Sequence, residues 1–145
     1  MPLIRKRAES NMLGEGILVE TDQFNHREVK PHFINSCCFG EDFAAWLKQE
    51  LSQGADLGFE FSKLIQEDYG WGFWALRDKE RFWVAISYVG DGPQEPPAQW
   101  LISVNSAFSL PKRLFHRTDR LILQQLHEGV WHIIKSDDKI KPIKI

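Results

Sequence analysis

Two adjacent carboxylates, Glu67 and Asp68, stand directly before a run of aromatic residues and are the first candidates for chemistry in this chain. Neighbouring carboxylates can act as general acid and base when burial shifts the pKa of one of them. A glycosidase, however, needs two carboxylates at a defined separation, which neighbours on a turn rarely provide. We therefore expect Glu67 and Asp68 to shape a turn or to face a basic partner, and we assign no catalytic residue.

The histidines and the short motifs give little support for a metal site or an enzyme. His127 and His132 lie on a predicted helix but are five residues apart, whereas two metal ligands on one helix face are typically four apart. The chain has no nucleophile elbow, no phosphate-binding loop and no dinucleotide-binding fingerprint. The sequence therefore indicates a binding protein with no metal and no cofactor, and an enzyme is the less favoured interpretation.

The aromatic residues are concentrated in residues 66–90, "QEDYGWGFWALRDKERFWVAISYVG". Such a concentration is typical of a ligand platform, of a partner-binding surface or of a wide hydrophobic core. The rings in this stretch are those of Tyr69, Trp71, Phe73, Trp74, Phe82, Trp83 and Tyr88.

The hydrophobic pattern predicts which elements position these rings. Apolar stripes predict a helix over 41–53 and a second helix that begins near Thr118, with Gly129 inside it. Alternating apolar residues predict strands at 15–21, around 59–65, on both sides of a turn near Asp78, and at 98–108, and "KIKPIKI" predicts an edge strand. The prediction is an α+β fold, with an antiparallel sheet of five to six strands and two helices packed on one face.

Strand alternation divides the rings between the two faces of that sheet. Phe82, Val84, Ile86 and Tyr88 share one face, which we expect to lie under the helices, with Trp46 and Leu126 buried against it. Trp83 then points to the other face, beside the small residues Ala85 and Ser87. An exposed ring at such a position is typical of an interface. The predicted ligand- or partner-binding residues are Glu67, Asp68, Tyr69, Trp71, Phe73 and Trp83.

Three alternatives remain open at this stage. Long segments such as 23–40 and 91–97 could cover the Trp83 face. A small-molecule binder or enzyme would use a pocket between Trp71, Trp74, Trp83 and Trp100, with Glu67 or Asp68 as polar anchor. The basic residues of 112–120 permit a single-stranded nucleic-acid binder, but the net charge of −2 makes it the least favoured of these.

Length and composition set the remaining expectations. The 145 residues suit a single domain, in which residues 1–13 form a loosely ordered basic arm. The two cysteines, Cys37 and Cys38, are adjacent, so we expect them not to bridge each other. With no signal-like segment and no long apolar run, we expect a cytoplasmic protein that does not enter a membrane. Its partner is predicted to be a protein or a second copy of the chain, although a small molecule remains an alternative.

The helix ending in "WLKQEL" and the "EDYGW" that opens the run of strands resemble small uncharacterised bacterial proteins with an acid–aromatic–Gly–Trp element. The similarity covers roughly residues 41–89, and Tyr69 stands where Trp is more usual. Some of these proteins resemble the immunity partners of polymorphic toxin systems or mobile-element cargo. The resemblance implies a non-enzymatic cytosolic binding module and carries no catalytic residue over to this chain.

Overall fold

The computed structural model describes residues 16–36, 38–54, 57–89, 97–106 and 117–143, so the predicted arm at 1–13 lies outside the described residues. The described residues form two helices and seven strands, and every strand pair is antiparallel. The α+β prediction is therefore confirmed, with seven strands rather than five to six. In chain order the elements are β1 Ile17–Glu20, α1 Glu41–Gly54, β2 Glu60–Phe61, β3 Ile65–Glu67, β4 Gly70–Arg77, β5 Glu80–Tyr88, β6 Gln99–Ser106, α2 Arg117–Ser136 and β7 Lys141–Pro142.

The sheet has the strand order β2-β4-β5-β6-β1-β7, and β3 also pairs with β4. β2 and β3 pair with successive parts of β4, so the two short strands together form one edge of the sheet. The predicted edge strand in "KIKPIKI" is confirmed as β7, which forms the opposite edge. Its Lys141 and Pro142 suit an edge, because proline cannot donate to a further strand and an exposed lysine resists docking.

The hairpin of β4 and β5 fixes the register of the aromatic residues. Its turn consists of Asp78 and Lys79, whose φ angles are 51° and 71°. Two consecutive residues with positive φ are typical of the type I′ turn, whose twist matches that of the flanking strands. The pairing therefore runs from Arg77 opposite Glu80 to Trp74 opposite Trp83.

The predicted first helix is confirmed as α1, with Glu41 and Asp42 in its first turn, where the helix dipole favours acids. Phe43, Leu47 and Leu51 recur every four residues and are buried, and they form the apolar stripe of the helix. Trp46 was expected to be buried, but it is only half-buried. Its ring lies at the border of the core, against Phe24 and Phe43.

The second helix, α2, is also confirmed, and Leu126 within it is fully buried as expected. The apolar residues Ile122, Val130 and Ile134 of this helix are also buried, whereas Ile133 is half-buried. Gly129 allows close packing, because a Cβ there would lie 2.9 Å from Leu57 Cδ1. The glycine thus allows Leu57, which follows α1, to pack closely against α2.

The central part of one face of the sheet is buried. Its buried side chains belong to a single hydrophobic cluster, which also contains the buried stripes of α1 and α2. The expectation that both helices cover this one face stays a prediction, and the shared cluster supports it. The residues of this covered face are Ile17, Val19, Trp71, Phe73, Ala75, Phe82, Val84, Ile86, Tyr88, Trp100, Ile102 and Val104.

The described part of the segment between β1 and α1 packs at the margin of this core. Phe24 stacks on Phe43 with ring centroids 4.1 Å apart. Gln66 holds residues 34–38 through both ends of its amide: Oε1 accepts from Ile34 N and Asn35 N, and Nε2 donates to the carbonyls of Asn35 and Cys38. Two segments were considered as covers for the Trp83 face. The described residues of 23–40 are anchored at the core side, and residues 91–96 of the segment 91–97 lie outside the described residues.

Cys38 is disulfide-bonded. The expectation that Cys37 and Cys38 do not bridge each other stays a prediction, because Cys37 lies outside the described residues. Neither described helix combines the length and the apolar character needed to cross a bilayer.

Candidate functional site

The structure brings two of the predicted site residues, Tyr69 and Trp83, into direct contact. Tyr69 lies in the turn between β3 and β4 and is 48% exposed, so its ring is available to a partner. Trp83 Nε1 donates a hydrogen bond to the Tyr69 hydroxyl at 2.7 Å. The polar edge of the indole is therefore satisfied within the protein, and its apolar surface is what remains for a partner.

Trp74 and Arg81 complete the group around Trp83. Trp74 lies directly opposite Trp83 on the neighbouring strand, with ring centroids 4.8 Å apart and planes inclined at 57°. The Arg81 guanidinium lies 5.3 Å from the centroid of the Trp74 ring, within the range of a cation–π contact. We call Tyr69, Trp74, Arg81 and Trp83 the open-face cluster.

Small residues in the strands explain how the Trp83 ring lies on the sheet. A Cβ at Gly72 would be only 2.5 Å from Trp83 Cζ2, so the indole occupies the space that a side chain at this position would fill. Ala85, which is paired with Gly72, adds only a methyl group beside it. The ring is thus held against the backbone of β4, and contacts on several sides fix its orientation.

The surroundings of the open-face cluster are partly exposed and of mixed polarity. Trp74 and Trp83 are half-buried, whereas Arg81 and Asn105, the residue opposite Trp83 on β6, are exposed. Leu101 adds an exposed apolar side chain to the same face. Rigid rings surrounded by polar groups are typical of the centre and rim of a protein interface.

Trp71 and Phe73, the other two predicted site rings, do not lie with Trp83. Their relative exposures are 5% and 0%, and the register places them on the covered face, paired with Ile86 and Val84. Trp71 also donates from Nε1 to the Cys38 carbonyl at 2.8 Å, which ties the 33–38 segment to the core. Their grouping with Trp83 is therefore corrected, and Trp74 takes that place.

Trp74 could have been found from the sequence. Alternation already separated Trp74 from Phe73, and a turn of exactly two residues at Asp78 and Lys79 would have placed Trp74 opposite Trp83. Lys79 did not indicate a two-residue turn, because turns of this kind usually carry glycine or asparagine at that position. The same register also places Arg81 on the face that bears Trp83.

Glu67 and Asp68 are exposed and lie in and beside the turn that carries Tyr69. The backbone carbonyls of both residues contact the segment that precedes α1. Asn35 Nδ2 donates to the Glu67 carbonyl at 3.3 Å, and the Asp68 carbonyl lies 3.1 Å from Cys38 Sγ. The acids thus form part of an exposed turn beside the open-face cluster.

The surroundings of the Tyr69 phenol raise its pKa. Partial burial raises its pKa above the ordinary value of 10.0, the nearby Glu67 carboxylate raises it further, and the hydrogen bond from Trp83 opposes the rise. The phenol therefore stays protonated at neutral pH, and its hydroxyl can both accept from Trp83 and donate to a ligand.

The four tryptophans proposed to line one pocket are divided between the two faces of the sheet. Trp71 and Trp100 belong to the covered face, whereas Trp74 and Trp83 belong to the open one. The sheet itself lies between the two pairs, so they do not enclose a common cavity. This geometry removes the particular pocket on which the small-molecule alternative depended.

Within the described ranges, no three His, Cys, Asp or Glu side chains are grouped so that they could hold a metal ion. No protein-family model, curated protein or solved structure matches the chain. Any functional interpretation therefore depends on the chain's own geometry.

Proposed function

We propose that the protein is a non-enzymatic binding module that contacts a protein partner, either another protein or a second copy of itself, through the face bearing the open-face cluster. The observation that carries the proposal is the arrangement of Trp83, fixed by Trp74 and Tyr69 on the face opposite the core. Tryptophan, tyrosine and arginine are the residue types most enriched among interface hot spots.

The rigidity of the open-face cluster supports this function. An interface residue that is mobile before binding loses conformational entropy on association, which weakens the affinity. The Trp83 indole is already restrained by its hydrogen bond to Tyr69 and by its contact with Gly72. Binding a partner would therefore cost little ordering of this side chain.

The exposed acids beside Tyr69 would act at the rim of the interface. Exposed charges chiefly accelerate the encounter with an oppositely charged partner, and salt screens them. We expect a double Glu67→Gln, Asp68→Asn variant to fold normally and to associate more slowly at low salt. A bacterial, cytoplasmic, immunity-like role agrees with such a module and remains part of the proposal.

Site-specific photocrosslinking would test the proposed interface. A photoreactive benzophenone amino acid would replace Asn105, which is exposed and paired with Trp83. The matched control carries the same group at Gln124, which is exposed on α2. Both variants would be irradiated as pure protein and in extracts of the source cells.

We expect one discrete adduct from position 105, either a dimer of the chain or a complex with one other protein, and none of that mass from position 124. Adding Trp83→Ala to the position-105 variant should abolish the adduct. The absence of a discrete adduct at position 105, or the same adduct from both positions, would contradict the proposal.

A further inference from the structure

A second surface, a groove between the two helices, lies outside the open-face cluster. Its volume is about 460 Å³. Its floor is apolar, formed by Trp46, Leu57 and Ile133. Gly129 also lines the groove, and a side chain at this position would occupy the space next to Leu57. We call this surface the helix groove.

Three acidic side chains line the helix groove: Glu50 comes from α1, Glu128 from α2, and Asp137 follows α2. Among the described residues that line it, none is Lys or Arg. Glu128 accepts a hydrogen bond from Gln124, and Asp137 accepts one from the backbone of Lys139. Among the described residues, none of these three carboxylates forms a salt bridge.

The C-termini of the helices add negative potential to the groove. Gly54, the last residue of α1, and Ser136, the last residue of α2, both line it. Each lies at a helix C-terminus, which carries a partial negative charge.

We propose that the helix groove binds a basic amphipathic peptide segment of a partner protein, with apolar side chains on its floor and Lys or Arg side chains against its acidic rim. Because the rim is acidic, it favours an occupant with positive charges. The lining residues run from 46 to 54 on α1 and from 125 to 136 on α2, which at the helical rise corresponds to roughly 12–17 Å. A helical segment of about 8–11 residues matches that length.

Fluorescence anisotropy with a labelled synthetic peptide would test the proposal. The probe is an amphipathic helix of leucine and lysine of about 12 residues. One control peptide replaces every lysine with glutamate, and another contains the same residues in an order without an apolar stripe. The full chain should bind the first peptide and neither control.

Two double variants with equal loss of charge locate the site. Glu50→Gln with Glu128→Gln removes two carboxylates of the groove rim, whereas Glu28→Gln with Glu60→Gln removes two exposed carboxylates elsewhere. We expect the first pair to weaken binding about tenfold, the order expected for two partly exposed charge pairs, and the second pair to change it less than about twofold. Equal weakening by both pairs, binding of the peptide without a stripe, or no binding of the basic peptide would overturn the proposal. None of these outcomes depends on the open-face cluster.

Discussion

Replacing a single tryptophan on each face of the sheet should separate the core from the proposed interface. Trp100 is fully buried, contacts the rings of Phe43 and Tyr88, and donates from Nε1 to the Thr21 carbonyl at 3.2 Å. Trp83 is half-buried and contacts Trp74, Tyr69 and the backbone at Gly72. The two substitutions to alanine remove the same atoms from different surroundings.

The expected losses of stability follow from these surroundings. Trp100→Ala should cost about 3–5 kcal/mol for the lost ring and its cavity. The Thr21 carbonyl, which is left without its indole donor, should add about 1–3 kcal/mol. Trp83→Ala loses one ring pair and one exposed hydrogen bond, each of which contributes about 0.5–1.5 kcal/mol, and the partial burial of its indole, which contributes about 1–2 kcal/mol. At the centres of these ranges, Trp83→Ala should therefore be about 2 kcal/mol less destabilising than Trp100→Ala.

The free energy of unfolding would be measured by urea denaturation, with far-ultraviolet circular dichroism as the signal because the substitutions change tryptophan fluorescence. Both variants must unfold in one cooperative transition with a wild-type slope for the comparison to hold. If Trp83→Ala were as destabilising as Trp100→Ala, Trp83 would be a core residue, and the reasoning that places it at an interface would be refuted.

Three further changes test other parts of the structure. Leu126→Ala should cost about 2–5 kcal/mol in urea unfolding because the side chain is fully buried, with exposed Gln124→Ala as control, and a loss below about 0.5 kcal/mol would remove α2 from the core. Gly72→Ala should displace the Trp83 ring and cost about 1–3 kcal/mol, because its Cβ would meet Trp83 Cζ2 and the Val84 carbonyl at 2.5 Å. Gly54→Ala, which would meet nothing within 4 Å, should be nearly neutral, and equal effects would contradict the packing described. The pKa of Tyr69 is raised in the folded state, so the protonated phenol stabilises the fold relative to the unfolded chain. This contribution to the unfolding free energy is fully present below about pH 10 and is lost as the pH rises above it. The difference in unfolding free energy between wild type and Tyr69→Phe should therefore shift against the wild type from about pH 9 to 11, and a constant difference would show that the phenol does not titrate differently on folding.

Features that depend on local periodicity were predictable from the sequence. The stripe of α1 and the row of Phe82, Val84, Ile86 and Tyr88 follow directly from helical and strand spacing, and all of these strand residues are buried. The burial of Trp46 was overestimated, because an apolar stripe does not indicate how far around the helix the core extends. The Trp46 ring lies at the border of the core. Periodicity thus identifies the centre of a buried face better than its margin.

The composition of the candidate site was less predictable because it depends on register and on contacts distant in sequence. Trp71 and Phe73 were grouped with Trp83 because the length of the hairpin turn was not known, and a change of one residue in that length exchanges the two faces. The hydrogen bond between Trp83 and Tyr69 and the clamp of Gln66 on residues 34–38 join residues far apart in the chain. No local pattern encodes such contacts.

The most direct test of the central claim is the affinity between this protein and the partner captured at position 105, measured by calorimetry for another protein or by sedimentation for a second copy. The comparison is between wild type, Trp83→Ala and Gln124→Ala, each first shown by circular dichroism to be folded. We predict that Trp83→Ala weakens binding by about 2 kcal/mol or more, roughly 30-fold, and that Gln124→Ala leaves it unchanged. An affinity of folded Trp83→Ala within about twofold of wild type would contradict the claim that the open-face cluster is the binding surface.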